Sequence, residues 1–414
     1  MTPEPTDREL AEPDLTDPAT YRRTDYLALW RAVRRHRPIA RLDSPRYGPF
    51  WSVTTHDLAC QVLEDPVRFT STRGMRLGAD EAAVGAAAGR MLVVADGAEH
   101  ARLRAAHAPW FRSNEVAAMR DALRRRLETE LEPMVTGEPV EIVQRLASAV
   151  PTWVVGRMLG TDDADTARLA ALVRTAFAEE TDPAEHTSRR AASAHVFGYF
   201  ADLLENRRAD PRADVVSALA HEPDPERRLT DEEILLSCDG LVNGGLGTSR
   251  HAVSGTLLAF ARHPDQWLRL RRDASLLPSA VEEVLRWASP PMHLMRTATR
   301  EVELGGARIG AGDRVVLWIP SCNRDESVFA EPDAFRIDRR PNRHLSLGAG
   351  PHYCVGASVG RMEVRVLLQV LLARVDRIEL RAEPVRSAST FLHGLDRLEV
   401  VLLPIHRADR EVTV

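Results

Sequence analysis

Apolar positions recur every three to four residues through much of the chain, the spacing of helices with one buried face. Between about 98 and 220 a stripe such as Met119, Leu123, Leu127 and Leu131 predicts helix through most of the stretch. Ahead of it, residues 49–53 read as a short strand and 56–64 as a helix. Residues 72–90 break the pattern with Gly74, Gly78, Gly85 and Gly89 and are expected to form a mobile loop with one helical turn. A long helix is expected from Thr230, where Thr-Asp-Glu-Glu233 has capping-box spacing, to about Arg262, just before His263-Pro264. At ~1.5 Å per residue it would run ~50 Å and cross the whole molecule. A shorter helix over 279–288 should stop before Pro290-Pro291. Strand patterns gather only afterwards, at 302–304, 307–309 and 314–318, followed by an irregular stretch (320–346) rich in proline and arginine. A helix from Cys354 to Arg374 comes next, then hairpin-like strands near 378–380 and 398–403. The expected fold class is mainly α with small β-sheets, as one domain over 21–414. Residues 1–20, acidic and proline-bearing, are expected to be a flexible tail.

Composition narrows the function classes. With 414 residues and 44% apolar content the chain can build a large core. A formal charge of −5 argues against binding a polyanion such as nucleic acid. All 55 basic residues are arginine, a bias expected of a GC-rich bacterial genome. Cys60, Cys238, Cys322 and Cys354 are far apart, favouring neither a disulfide framework nor a zinc site. The N-terminus lacks a basic-then-apolar signal, and no run reaches the roughly 18 apolar residues of a membrane span. A cytoplasmic protein is expected.

Chemistry concentrates in Leu347-Gly-Ala-Gly-Pro-His-Tyr-Cys-Val-Gly-Ala357. Glycines at 348, 350 and 356 let backbone approach something flat and adopt positive φ. Cys354 is expected to open a helix, where free N–H groups favour a thiolate. A thiolate with amides turned toward its sulfur is what haem iron requires of a proximal cysteine. A buried structural cysteine after a glycine turn is the bland alternative.

This segment resembles the haem-binding loop of the cytochrome P450 family, and the resemblance extends from about Phe50 to Val401. It implies the single-domain P450 fold and haem b, with Cys354 as axial thiolate in a loop shaped by Gly348, Gly350 and Gly356. Leu347 stands where the family usually has phenylalanine. Glu283-Val-Leu-Arg286 is similar to the family's Glu-x-x-Arg pair, and Arg339 in Phe335-Arg-Ile-Asp-Arg339 to its third member. Alone, Glu283 and Arg286 would read as a surface i, i+3 pair; as a triad with Arg339 they would pin irregular backbone. His100 and Arg104, four apart on an expected helix, resemble the family's His-x-x-x-Arg. With Arg296 and His352 they would hold the haem propionates. Cys322-Asn-Arg-Asp325 is similar to a structural segment of the family.

Leu241-Val-Asn-Gly-Gly-Leu-Gly-Thr-Ser249 is poor helix, since each glycine costs ~1 kcal/mol against alanine. It reads either as two helices around a glycine loop or as one helix opened where a flat cofactor and dioxygen lie. The resemblance favours the second. Thr248 then matches the family threonine that helps protonate dioxygen, and Gly247 replaces the family's acid. Substrate-facing positions are expected at Asn243, Gly244, Leu246, Met292, His293, Leu294, Phe391 and Leu392, with the 72–91 loop and the helices near 165–205. Most are apolar, which suits a medium-sized organic substrate, free or on a carrier protein.

The resemblance implies a haem-thiolate monooxygenase that hydroxylates or epoxidises that substrate with dioxygen, in bacterial secondary-metabolite biosynthesis. NAD(P)H would serve only through a separate ferredoxin or flavodoxin, docking near Arg361, Arg365 and Arg112. The alternative is oxidative coupling or desaturation without oxygen insertion; a non-catalytic helper is the third reading. A monomer away from membranes is expected.

Overall fold

The structure is a computed structural model that describes residues 14–22, 26–112, 114–176 and 183–405. The long helix forms as one unbroken element, Asp231–Arg262, here the central helix. Its capping box is complete: Glu233 N–H donates to Thr230 Oγ1 and Thr230 N–H to Glu233 Oε2. Gly240, Gly244, Gly245 and Gly247 lie inside it, with neither an intervening loop nor an opened turn. Their missing side chains admit neighbours instead. A Cβ would meet Val155 at Gly245 and Leu392 at Gly247, each at 2.8 Å, and a further glycine, Gly255, receives the Ala288 methyl at 2.6 Å.

The helices Ala149–Leu159, Leu277–Ala288 and Ala357–Arg374 pack against the central helix. Together they bury a core that includes Leu257, Phe260, Val284 and Leu367. The stripe Met119, Leu123, Leu127 and Leu131 is the buried face of Asn114–Leu131, as its spacing predicts. The 72–90 stretch holds two helical turns rather than one, Glu81–Ala87, capped by Asp80 accepting from Ala83 N–H. Part of the expected substrate-facing region near 165–205 lies outside the described residues.

The strand expected at 49–53 forms, and others besides it precede residue 290. β1 (Ile39–Ser44), β2 (Gly48–Val53), β3 (Phe69–Thr70) and β4 (Pro139–Glu141) precede β5 (His293–Ala298), β6 (Val302–Leu304), β7 (Ala307–Ile309) and β8 (Arg314–Trp318). The last four are β9 (Val375–Leu380), β10 (Val385–Arg386), β11 (Leu395–Arg397) and β12 (Glu399–Pro404). One sheet runs β1-β2-β8-β5-β3, with β2 and β8 parallel. Another runs β4-β12-β9. β5 escapes sequence detection because nearly every residue in it is buried, which erases the period-two alternation.

Part of the segment expected to be a tail, 1–20, packs on the core. Residues 1–13 lie outside the description, but Leu15 and Tyr21 are buried, and Tyr21 stacks on Trp30 at 6.0 Å between ring centres. Aromatic packing, invisible in the local acidity, ties this segment to the core. Among the described residues no helix is long and apolar enough to cross a membrane.

Candidate active site

Gly348 and Gly350 both take positive φ, 71° and 65°. At Gly350 a Cβ would stand 2.5 Å from the Leu63 carbonyl oxygen, so no side chain fits there. Cys354 N–H then donates to Leu347 O at 2.9 Å, closing the loop on itself. The helix begins only at Ala357, with Gly356 as its N-cap. Cys354 therefore precedes the helix and does not open it, a correction to the expectation from sequence.

The Cys354 side chain is solvent-accessible although protein crowds it on most sides. Burial raises its thiol pKa, opposed by the Gly356 N–H and by Arg104 and Arg361. The helix terminus does not by itself make a thiolate here. Deprotonation is left to whatever the sulfur binds.

Four predicted cationic residues do come together. His100 and His352 have ring centres 4.1 Å apart. Arg104 donates to Tyr353 O at 2.7 Å, and Arg296, buried, donates to Met295 O at 2.8 Å. Three of them, His100, His352 and Arg296, lie near a carboxylate that sequence reasoning missed. Asp96, at the N-cap of Gly97–Phe111, makes no capping bond; it receives Ser71 N–H at 2.8 Å and pairs with His352 Nε2 at 3.0 Å. Burial works to raise Asp96, but the hydrogen bonds from His352, Thr70 and Ser71 outweigh it and hold it at about 2. Burial, then His352 and Arg104, bring His100 down to about 4. Burial lowers Arg296 to about 10, against the pull of Asp96. His100 Nε2 is buried with no partner. The cluster holds more positive charge than Asp96 neutralises and a donor or acceptor left unmet, which suits carboxylates supplied from outside.

Over 239–250 the central helix is largely half-buried, with Gly244 exposed, whereas 251–260 is buried throughout. A helix that crosses the core can expose its middle only to a hollow. Asn243 stands on this stretch with both side-chain polar atoms buried, beside Asp239 one turn before it, whose carboxyl burial raises to about 6 with Asn243 opposing. Thr248 Oγ1 donates to Gly244 O at 2.6 Å. Next to it Ser249 Oγ donates to Glu363 Oε2 at 2.5 Å. Burial pushes the Glu363 carboxyl up to about 8, with Ser249 opposing. Nothing in the local sequence marks Glu363, which sits on an otherwise apolar helix face.

Behind the loop, the Glu283 carboxylate receives Arg286 Nε and Nη2 at 2.8 Å each, and Arg339 Nε at 3.1–3.2 Å. All three residues are buried. The arginines pass their remaining donors to the carbonyls of Asn323, Ala330, Glu331, Pro332 and Ala334, so irregular backbone hangs on one carboxylate.

Comparison with known proteins settles the family. A family model described as Cytochrome P450 matches residues 28–386. The chain is a cytochrome P450. It is 36% identical over 382 residues to cytochrome P450 126 of Mycobacterium tuberculosis, covering 89% of this chain and 90% of that one. It is 32% identical over 411 residues to linalool 8-monooxygenase of Pseudomonas putida, covering 95% and 100%. Among solved structures it matches P450 OxyD, involved in the biosynthesis of vancomycin-type antibiotics, with a TM-score of 0.85 and 33% identity over 95% of this chain and 100% of that one. Cytochromes P450 are oxidoreductases that incorporate oxygen from O2, using haem b and electrons from redox partners. The residues present fit that group: an accessible sulfur in a glycine-cradled loop, beside a cation cluster short of anions.

Not every expected site residue reaches this P450's chamber. Met292 is wholly buried in the aromatic cluster around Trp318, and Leu294 packs on the sheet core. His293 spends both ring nitrogens on backbone: Nδ1 on Thr390 O at 2.5 Å, and Nε2 accepting from Leu77 N–H at 2.9 Å. It is a structural cross-link and makes no contact available to substrate. Phe391 packs edge-on to His293 and beneath Arg76. Leu392 does meet the central helix, at Gly247. Leu246 packs on the same core cluster as Leu347. Arg361 is not free for a partner protein, being bonded to Glu282 at 2.7 and 2.9 Å and to Tyr353 Oη at 2.7 Å.

Proposed function

We propose that this cytochrome P450 hydroxylates or epoxidises a medium-sized, largely apolar organic substrate in the secondary metabolism of a bacterium, as a cytoplasmic monomer. The observation that carries the reading is the accessible sulfur of Cys354 in a glycine-shaped loop beside the cluster of His100, Arg104, Arg296 and His352. The likeness to OxyD supports the metabolic setting. When bound, haem supplies the activation of dioxygen. Cys354 Sγ would ligate its iron, and His100, Arg104, Arg296 and His352 would hold its propionates.

The chain's own residues then manage substrate and protons. Leu246, Leu392 and the glycines 244 and 247 give an apolar wall, with Asn243 as the polar group on it. The Thr248 hydroxyl, turned back to Gly244 O, keeps its lone pairs free to orient a water. Glu363 holds a proton at neutral pH and receives Ser249 Oγ–H, which places a proton store one residue from Thr248 while position 247 has none. Electrons would arrive from a separate ferredoxin or flavodoxin on the face where Arg112 and Arg365 are exposed.

Coupling or desaturation without oxygen insertion is the second reading, favoured by the absence of an acid at 247. Conversion of the native substrate under labelled dioxygen decides between them: label in the product supports insertion, and its absence supports coupling or desaturation. With Cys354, Glu283 and Arg286 all in place, no observation favours a non-catalytic helper.

A further inference from the structure

A hollow of about 50 Å³, whose lining does not include Cys354, is bounded by Tyr26, His251, Arg324, Arg386, His393 and Gly394 among others. His393 is fully used: with the Ala288 carbonyl as acceptor at 2.7 Å, Nδ1 carries the proton, so Nε2 accepts from Tyr26 Oη at 2.8 Å and Arg386 Nη1 at 3.3 Å. Burial, helped by Arg386 and Arg324, holds His393 well below the ordinary histidine range. Burial likewise takes His251 to about 3. Both rings are neutral, and the positive charge rests on the two arginines.

Neither guanidinium is hydrogen-bonded to a carboxylate among the described residues. Arg324 donates to the neutral carbonyls of Trp287 at 2.9 Å and Pro320 at 3.5 Å, and its Nε is buried without a hydrogen-bond partner. Asp333 makes a long ion pair with that Nε, 3.7 Å from its Oδ1, while its Oδ2 accepts from Arg31. Arg386 lies 4.8 Å over the Tyr26 ring. At the rim, Arg262 is matched by Glu383. Two guanidinium charges thus face one hollow; among the described residues Arg386 has no carboxylate partner and the buried Arg324 has only the long ion pair with Asp333, so its charge is under-compensated.

We propose that this hollow is a binding site for a small monoanion of the size of chloride or formate. A water needs roughly 10–15 Å³ of such space, so the hollow takes one such ion with a water or two and excludes larger anions. The anion joins Arg324 to Arg386 on β10 and to the loop carrying His393 and Gly394. Gly394 allows the contact, since a Cβ there would stand 1.9 Å from His251 Nδ1. Two residues earlier, Leu392 lies on Gly247. Occupancy of the hollow therefore fixes one wall of the substrate chamber from behind.

Thermal unfolding of the haem-loaded protein tests this, in sodium chloride or formate against sodium gluconate at one fixed ionic strength. Chloride and formate should raise the midpoint saturably, by about 1–2 °C per tenfold excess over the dissociation constant. Gluconate, too large to enter, should leave it unchanged. Chlorine NMR should show chloride line broadening that formate reverses. Arg386→Gln, at a half-buried position, should remove both signals; should that variant fail to fold, the wild-type anion series decides alone. A midpoint that follows ionic strength whichever anion is present, or broadening that persists in Arg386→Gln, overturns the proposal.

Discussion

Leu392 Cδ1 stands 2.8 Å from the point where residue 247 would carry a Cβ. Glycine at 247 is therefore less an opening for water or substrate than the seat of a leucine from the far end of the chain. An acid cannot be added to the central helix here without moving that leucine.

Gly247→Glu alone should accordingly lower substrate affinity and product formed per NADPH, because the new side chain displaces Leu392 into the chamber. Gly247→Glu combined with Leu392→Ala should recover much of the loss. Soret titrations and product-to-NADPH ratios measure both. A single variant that matches wild type would show that the contact does not shape the chamber.

Glu363 gives stability a pH signature. Its folded pKa lies near 8, above the ordinary 4.5, so its contribution is complete below pH 4.5 and is lost as pH rises through 8. In that window wild type should lose up to about 1.4 kcal/mol per pH unit relative to Glu363→Gln, which stays neutral. Thermal midpoints of the two proteins between pH 5 and 9 should diverge accordingly. Parallel curves would place the carboxyl's titration elsewhere.

Removing Glu283 leaves two buried guanidiniums unpaired, a loss of about 3–5 kcal/mol. Glu283→Ala should yield little soluble haem-containing protein, and Glu283→Gln more. Equal yield and midpoint for wild type and both variants would mean that the backbone around 323–334 holds without them.

Haem retention should track the cation cluster. Cys354→Ala should abolish the ferrous-carbonyl band characteristic of thiolate ligation. Arg296→Leu should speed haem loss to apomyoglobin, by more than His100→Gln does, because Arg296 carries a full charge and His100 is held neutral. Equal loss rates in all three proteins would remove the propionate role from both residues.

For electron transfer, Arg365→Glu and Arg112→Glu should slow reduction by an acidic ferredoxin, and added salt should do the same to wild type. Arg361→Glu should instead destabilise the protein, since it breaks the pairing with Glu282. Stopped-flow reduction and thermal unfolding separate the two effects.

Legibility from sequence follows the range of the interactions involved. The central helix was readable because its cap and its stop are both local, and β6, β7 and β8 because turns bound them closely. β5 was not, being buried on both faces. The residues around Cys354 were readable as a spacing, yet the helix start at Ala357 was not, because Gly356 and not Cys354 takes the cap. Asp96 and Glu363 were invisible for another reason. A carboxylate four residues before a histidine, or on an apolar helix, gains its meaning from partners 25 and 114 residues away, Ser71 and Ser249. His293 misled because a histidine beside a predicted chamber can equally turn to backbone.

The parallel pairing of β2 with β8 has a temporal side. Paired with β1 on one side, Trp51, Ser52 and Val53 find their partners on the other side in Val315, Val316 and Leu317. On a ribosome adding roughly 5–20 residues per second, β2 waits about 15–50 s for that edge to be covered. Cys354 and the Arg339 clamp emerge later still. The nascent chain thus carries a hairpin with one open edge while residues 54–315 are added, and the cofactor can be captured only after Cys354 has emerged. Slowed translation between residues 53 and 315 should therefore lengthen dependence on chaperones well before it alters how haem is bound.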